Sequence, residues 1–146
     1  MGDEPRQPVR RLAREMALRA AYVMEFQRCS AAEALHDPLV NDQSKPPAYA
    51  FRLLEYSEQH REYLDDLIRS KVEKWEFHRI AMIDRLILRL ALVELLFFDD
   101  VPPKVTINEA IEVAKRYSTA QSGKFVNGIL DAVYSDVIQG RIHLNA

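Results

Sequence analysis

Lys124, Phe125, Asn127 and Gly128 stand within five positions in the stretch SGKFVNGIL: an ammonium, an aromatic face, an amide and a position with no side chain. An aromatic ring is a platform on which a nucleobase can stack, and a neighbouring lysine can meet a phosphate. On a helix at about 100° per residue, Val126, Ile129, Leu130, Val133 and Val137 gather into a narrow arc, the core face. Phe125 then lies roughly 95° from the centre of that arc, while Lys124 and Gly128 point close to the opposite side. Phe125 is therefore expected at the boundary between core and solvent. There it either packs on a neighbouring helix or shows one face to a base. Gly128 either lets another helix approach closely or merely weakens its own helix.

A second cluster is basic. Arg6, Arg10, Arg11 and Arg14 crowd the start of the chain, with Arg19 further on, although the whole chain carries a net charge of -2. Arg10 and Arg14 share a helical face, and cations at a helix N-terminus oppose the macrodipole. The cluster is either a solvated basic end or a phosphate-binding patch, for which guanidinium groups offer bidentate contacts. In the middle of the chain Asp84, Arg85 and Arg89 interrupt an otherwise apolar surface. Such charges either pair internally or mark the edge of a partner protein's site. Tyr22 sits about 90° from the small-residue stripe of its helix and is wedge, core or contact residue.

For catalysis the yield is poor. His36, His60, His78 and His143 are scattered without metal-ligand spacing, no glycine-rich phosphate loop is present, and no nucleophile with its base can be argued from spacing. The single cysteine, Cys29, excludes an internal disulfide and a multi-cysteine zinc site, and suits a reducing cytoplasm. The expectation is no catalytic residue, no metal, no cofactor and no small-molecule substrate. No membrane span is expected, because LILRLALVELLFF is short and carries Arg89 and Glu94. No secretory signal is read at the N-terminus.

Helices must position these groups. At 146 residues the chain is read as one domain, 1–146, with flexible ends at 1–8 and 141–146. Residues 48–101 contain neither glycine nor proline and are dense in leucine, alanine, glutamate and arginine, a helical composition. The first helix is expected over Val9 to Gln27, with Ala13, Met16, Ala17, Ala20 and Met24 as its stripe. A short helix covers Ser30 to His36 with Ser30 as cap. DPLVNDQSKPP reads as a loop. One or two helices run from Ala48 to about Trp75, with Leu64, Leu67, Ile68, Val72 and Trp75 on one face and a bend near Ser57 to His60. Arg79 to Phe98 is apolar nearly all round and is expected to be the central helix. After DDVPPK, Thr106 and Glu109 are spaced as a capping box. The last helix is expected to begin among Ser118 to Ser122 and to end before Gly140, a left-handed cap.

The stretch INEAIEVAKRYSTAQSGKFVNGILDAV resembles the C-terminal signature of the NusB family, the bacterial transcription antitermination factors. The likeness extends to RRLAREMALRAAY at the N-terminus and to IDRLILRLALVELLFFDDVPPKV in the middle. It implies an all-α fold of about seven helices in two perpendicular three-helix bundles, and no catalysis. It implies binding of boxA leader RNA together with NusE, a small-subunit ribosomal protein, within an RNA polymerase antitermination complex that sustains ribosomal RNA synthesis. Carried over residue by residue, the RNA-binding set is Arg6, Arg10, Arg11, Arg14, Tyr22, Gln121, Lys124 and Phe125. The partner-binding set is Tyr22, Asp84 and Arg89.

Two departures stand out. Leu12 interrupts an arginine run that is often longer, and Gln121 replaces an acidic residue frequent before S-x-KFVNG. Two other readings remain: an RNA-binding domain of a ribosomal RNA cytosine methyltransferase, and a helical interaction module without RNA binding. Such methyltransferases continue into a Rossmann domain, so a full gene product ending at RIHLNA is expected to be something else.

Overall fold

The computed structural model describes residues 6–41, 45–73 and 76–142. Among them are seven α-helices, one short 3-10 helix and no strand. They are α1 (Arg6–Phe26), α2 (Ala31–Leu35), α3 (Ala48–Gln59), α4 (Arg61–Ser70), α5 (Met82–Phe97), α6 (Pro103–Tyr117) and α7 (Ala120–Ile138), with the 3-10 turn at Phe77–Arg79. The chain divides into two compact units, Met1–Gln59 and His60–Ala146. The expected flexible ends lie largely outside the described residues.

In the first unit α1 packs against α2 and α3. The expected stripe of α1 is buried at Ala13, Met16, Ala17 and Ala20, while Met24 is only half-buried. Small side chains along that stripe let the neighbouring helices come close, and Leu53 and Leu54 of α3 are fully buried. Ser30 caps α2 as expected: its hydroxyl accepts from the Glu33 amide at 3.1 Å, and the Glu33 carboxylate accepts from the Ser30 amide at 2.8 Å. This reciprocal pair is a capping box.

The second unit is built round α5, which packs against α4, α6 and α7. Every residue of α5 from Leu86 to Leu96 is buried, as its all-round apolar pattern predicts. Burying each such leucine favours folding by roughly 1.5–3 kcal/mol. The break between α3 and α4 falls at His60, where no glycine or proline announces it; the imidazole stacks on Phe97 of α5 with ring centroids 4.5 Å apart. Leu64 and Ile68 of α4 are buried, Leu67 and Val72 are half-buried, and Trp75 lies outside the described residues. Helix α4 stops at Ser70, short of the expected limit, and Lys71 leaves it to pair with Asp136 of α7.

Thr106 and Glu109 do not form a capping box. Helix α6 begins four residues earlier, with Pro102 at the N-cap in place of Thr106 and Pro103 in the first turn, where the missing N–H costs no hydrogen bond. Thr106 is therefore inside the helix and buried, and its hydroxyl donates to Glu94 Oε1 of α5 at 2.9 Å. The C-terminus of α7 is closed as expected. Gly140 has a φ of 75°, its amide donates to the Val137 carbonyl, and the Arg141 amide donates to the Asp136 carbonyl.

Asp136 lies in the last turn of α7, where an anion opposes the helix dipole. The hydrogen bond from Lys71, and then that from Arg141, holds its carboxyl below the usual carboxylate range. A carboxyl whose folded pKa is depressed contributes stability that is present above its unfolded value, about pH 4, and lost as pH falls through the folded value. Urea midpoints should therefore fall on acidification below about pH 4. In Asp136→Asn that part of the acid sensitivity should be missing, which parallel urea titrations from about pH 6 to about pH 2.5 on the two proteins would check.

Candidate nucleic-acid interface

In the second unit, α7 begins at a polar knot that sets the register of Lys124 and Phe125. Thr119 is the N-cap, and its hydroxyl oxygen accepts from the Ser122 amide at 3.0 Å. The Ser122 hydroxyl donates to Asp84 Oδ2 at 2.9 Å, and lies 2.8 Å from the Ser118 hydroxyl and 3.2 Å from that of Thr119. Asp84 sits in the first turn of α5, so this bond ties the starts of two helices together. Gly123 completes the join. A Cβ there would come within 3.2 Å of the Lys115 side chain, so α6 and α7 approach closely at this position.

The result matches the helical arithmetic except at Val137, which is only half-buried near the end of α7. Val126, Leu130 and Val133 are fully buried and Ile129 nearly so, Phe125 is half-buried, and Lys124 and Gly128 are exposed. Phe125 and Lys124 form a ridge between two open grooves. One, of about 470 Å³, runs past Lys71, Glu73, Glu76 and Gly128. The other, of about 610 Å³, runs past Glu76, Arg79, Asp84 and Gln121. Phe125 is thus half-buried and borders open space in both grooves, with cations at Lys124, Lys71 and Arg79 and carboxylates at Glu73, Glu76 and Asp84 close by. That combination can hold a flat ring and an attached phosphate.

Gly128 is not where a helix comes close. A Cβ there would meet nothing within 4 Å. Its effect is to leave the floor of the smaller groove low, at a conformational cost to α7. Gly128→Ala should stabilise the protein by about 0.5–1 kcal/mol, because the helix gains and nothing is crowded. Gly123→Ala should do no such thing, and paired thermal melts of the two variants would separate the positions.

Some groups singled out in the sequence fall elsewhere. In the first unit Arg11 is exposed, while Arg10 and Arg14 lie half-buried against the Tyr49 ring, 4.8 Å and 6.0 Å from its centroid. Arg19 turns to Glu15 and to the Val40 carbonyl. Arg6 opens α1, but its side chain lies outside the described residues. Tyr22 is not a core residue; it is exposed and packs against exposed Phe26, with centroids 5.0 Å apart and the rings tilted by 59°.

Asp84 and Arg89 are both buried, so neither projects from the surface, although Asp84 borders the larger groove. Asp84 is buried under Ser122, and Arg89 is 2% exposed and grips Asp65 of α4 through Nε at 2.8 Å and a second nitrogen at 3.4 Å. A charge on so apolar a helix is tolerated because a carboxylate from the next helix meets it. Glu76, Arg79 and Lys71 were missed as groove residues. Glu76 and Arg79 lie in WEFHRI, where no spacing links them to Phe125, and Lys71 is 53 positions from Lys124.

No described helix is long and apolar enough to cross a membrane. Among the described residues no cluster of three or more His, Cys, Asp or Glu side chains could hold a metal ion.

A family model described as the NusB family matches residues 11–135. The chain is 45% identical over 139 residues to the transcription antitermination protein NusB of Salinibacter ruber, spanning 92% of this chain and 86% of that one. It is 41% identical over 131 residues to the protein of the same name from Chloroherpeton thalassium, spanning 88% of this chain and 62% of that one. Among solved structures it superimposes on T. maritima NusB with a TM-score of 0.78 at 40% identity, over 93% of each chain. It also superimposes, with a TM-score of 0.76 at 25% identity, on a chain of the crystal structure of antitermination factors NusB and NusE in complex with dsRNA, covering 88% of this chain and 97% of that one.

Proposed function

The chain belongs to the NusB family, and from that membership we propose that it acts as a transcription antitermination protein, binding boxA-type leader RNA together with NusE. The observation that carries this reading is the Phe125–Lys124 ridge, an aromatic and a cation set between two open grooves in a chain of net negative charge. An overall positive field is not needed, because a local platform supplies stacking and phosphate contacts. Phe125 and Lys124 are the stacking and phosphate groups, and Gln121 borders the larger groove. Arg10, Arg11 and Arg14 contribute phosphate contacts from the first unit, and Arg6 extends the same basic run.

Binding and assembly account for the function; no catalytic step is invoked. The exposed Tyr22–Phe26 pair is read as contact surface for NusE or the RNA. Asp84 and Arg89 serve a partner only by holding α5, α4 and α7 in place. The protein works in the cytoplasm, where the transcribing polymerase complex is found. Gln121 stands where a carboxylate is frequent in the family, and the loss of a negative charge beside the RNA reduces repulsion of phosphate.

Titrating a labelled boxA-type RNA with this protein, with NusE and with their mixture is the direct test. The mixture should bind more tightly than the product of independent sites allows, and the affinity should fall steeply with salt as counterions are released. Additive binding would remove the coupling with NusE. Binding to NusE with no RNA affinity in the mixture would leave only an interaction module.

A further inference from the structure

Among the described residues Glu76 is the one carboxylate that borders both grooves beside Phe125 and Lys124. It caps the 3-10 turn Phe77–Arg79, and its Oε1 accepts from the Glu73 amide at 3.2 Å. That bond fixes the side chain and leaves Oε2 and further lone pairs to accept. A carboxylate accepts hydrogen bonds and repels phosphate. Beside a cationic lip built for phosphate it is misplaced unless it meets a donor. Asp84 also borders the larger groove, but it is 93% buried and its Oδ2 already accepts from the Ser122 hydroxyl. Two carboxylates therefore border that groove, and of the two Glu76, half-buried with Oε2 left to accept, is the one a ligand can reach.

We propose that Glu76 reads the base stacked on Phe125, accepting its exocyclic amino hydrogens and so favouring guanine, cytosine or adenine over uracil at that position. Guanine fits best, because its N1–H and amino group present two parallel donors to the two carboxylate oxygens. Uracil fits worst, because its single N3–H lies between two carbonyl oxygens that face the carboxylate with like partial charge. Lys124 takes the phosphate on the other side of the ring. The ridge thereby separates the sequence-independent contact from the sequence-reading one, a division usual in nucleic-acid recognition. The inference rests on the proposed binding of RNA at Phe125.

The test is a set of short boxA-type RNAs, each carrying one of the four bases at one position, titrated with NusE present against the wild-type protein, Glu76→Gln, Glu76→Ala and Phe125→Ala. At one position the wild type should prefer an amino-bearing base over uracil by about 5-fold or more. Glu76→Gln should narrow that preference, because its amide also donates to the uracil carbonyls, and Glu76→Ala should abolish it. Phe125→Ala should weaken binding and erase the preference at the same position. Thermal melts control for folding, and the amide oxygen introduced by Glu76→Gln can still accept from the Glu73 amide. If both Glu76 variants instead bind every RNA more tightly by one salt-dependent factor, Glu76 is only a repulsive charge and the proposal is overturned. A wild-type preference that survives in Glu76→Ala overturns it equally. In either case weakening by Phe125→Ala would leave the RNA-binding reading standing, whereas a wild-type protein that binds none of the RNAs with NusE present removes both.

Discussion

Phe125→Ala should weaken RNA binding by about 1–3 kcal/mol, the range for a base stacked on an aromatic ring, in a protein that remains folded. The ring is half-buried, so its truncation also removes some packing. The stability loss should fall below the roughly 3–5 kcal/mol of a fully buried phenylalanine. Phe125→Tyr should keep most of the affinity, because the ring face is retained and the added hydroxyl can reach solvent in either groove. Urea unfolding and RNA titration on the same samples separate the two effects. Unchanged affinity in a folded Phe125→Ala protein would remove the stacking role and leave the ridge as packing alone.

The largest stability effect is expected at the Asp65–Arg89 pair. Arg89 is held at 2.8 Å by Asp65, and its side chain is 3% exposed. Asp65→Ala would leave a buried guanidinium without its carboxylate, and breaking such a pair costs about 3–5 kcal/mol. Hydrating that cation means opening the α4–α5 contact, which is part of the core of the second unit. The double change Asp65→Leu with Arg89→Met should recover most of the loss, since an apolar pair of similar volume needs no desolvation of charge. Urea denaturation of the single and double variants measures both numbers. A cost under about 1 kcal/mol for Asp65→Ala would mean that the pair behaves as a surface ion pair. The double variant also tests the partner surface: if Arg89 acts from inside the fold, NusE binding should survive its replacement.

Much of the local structure is written in neighbouring residues. The Ser30–Glu33 spacing names a capping box and the structure forms it, because both groups act within one turn of backbone. The apolar pattern of α5 and the stripe of α1 reveal which faces are buried, since periodicity reports burial directly. The shoulder position of Phe125 follows from helical rotation alone, and so does the exposure of Lys124. The resemblance carried by SGKFVNGIL and the flanking stretches identified the family, because that signal is a string of residue types and needs no coordinates.

What the sequence could not decide depends on which residue meets which across long separations. Thr106 had the spacing of a cap, but Pro102 and Pro103 start the helix earlier, and only the packing of α6 on α5 puts its hydroxyl on Glu94. Gly123 and Gly128 are alike as letters; the approach of α6 makes one crowded and leaves the other open. Asp84 and Arg89 were chemically ambiguous because a charge on an apolar helix needs a partner, and the partners, Ser122 and Asp65, are 38 and 24 positions away. Glu76 and Lys124 share a groove only after α7 folds beside the turn that follows α4. Helical faces and the Ser30 and Gly140 caps are local consequences of backbone geometry and were legible; pairings of polar groups are consequences of tertiary packing, because the energy of a buried charge is set by whatever group the fold brings beside it.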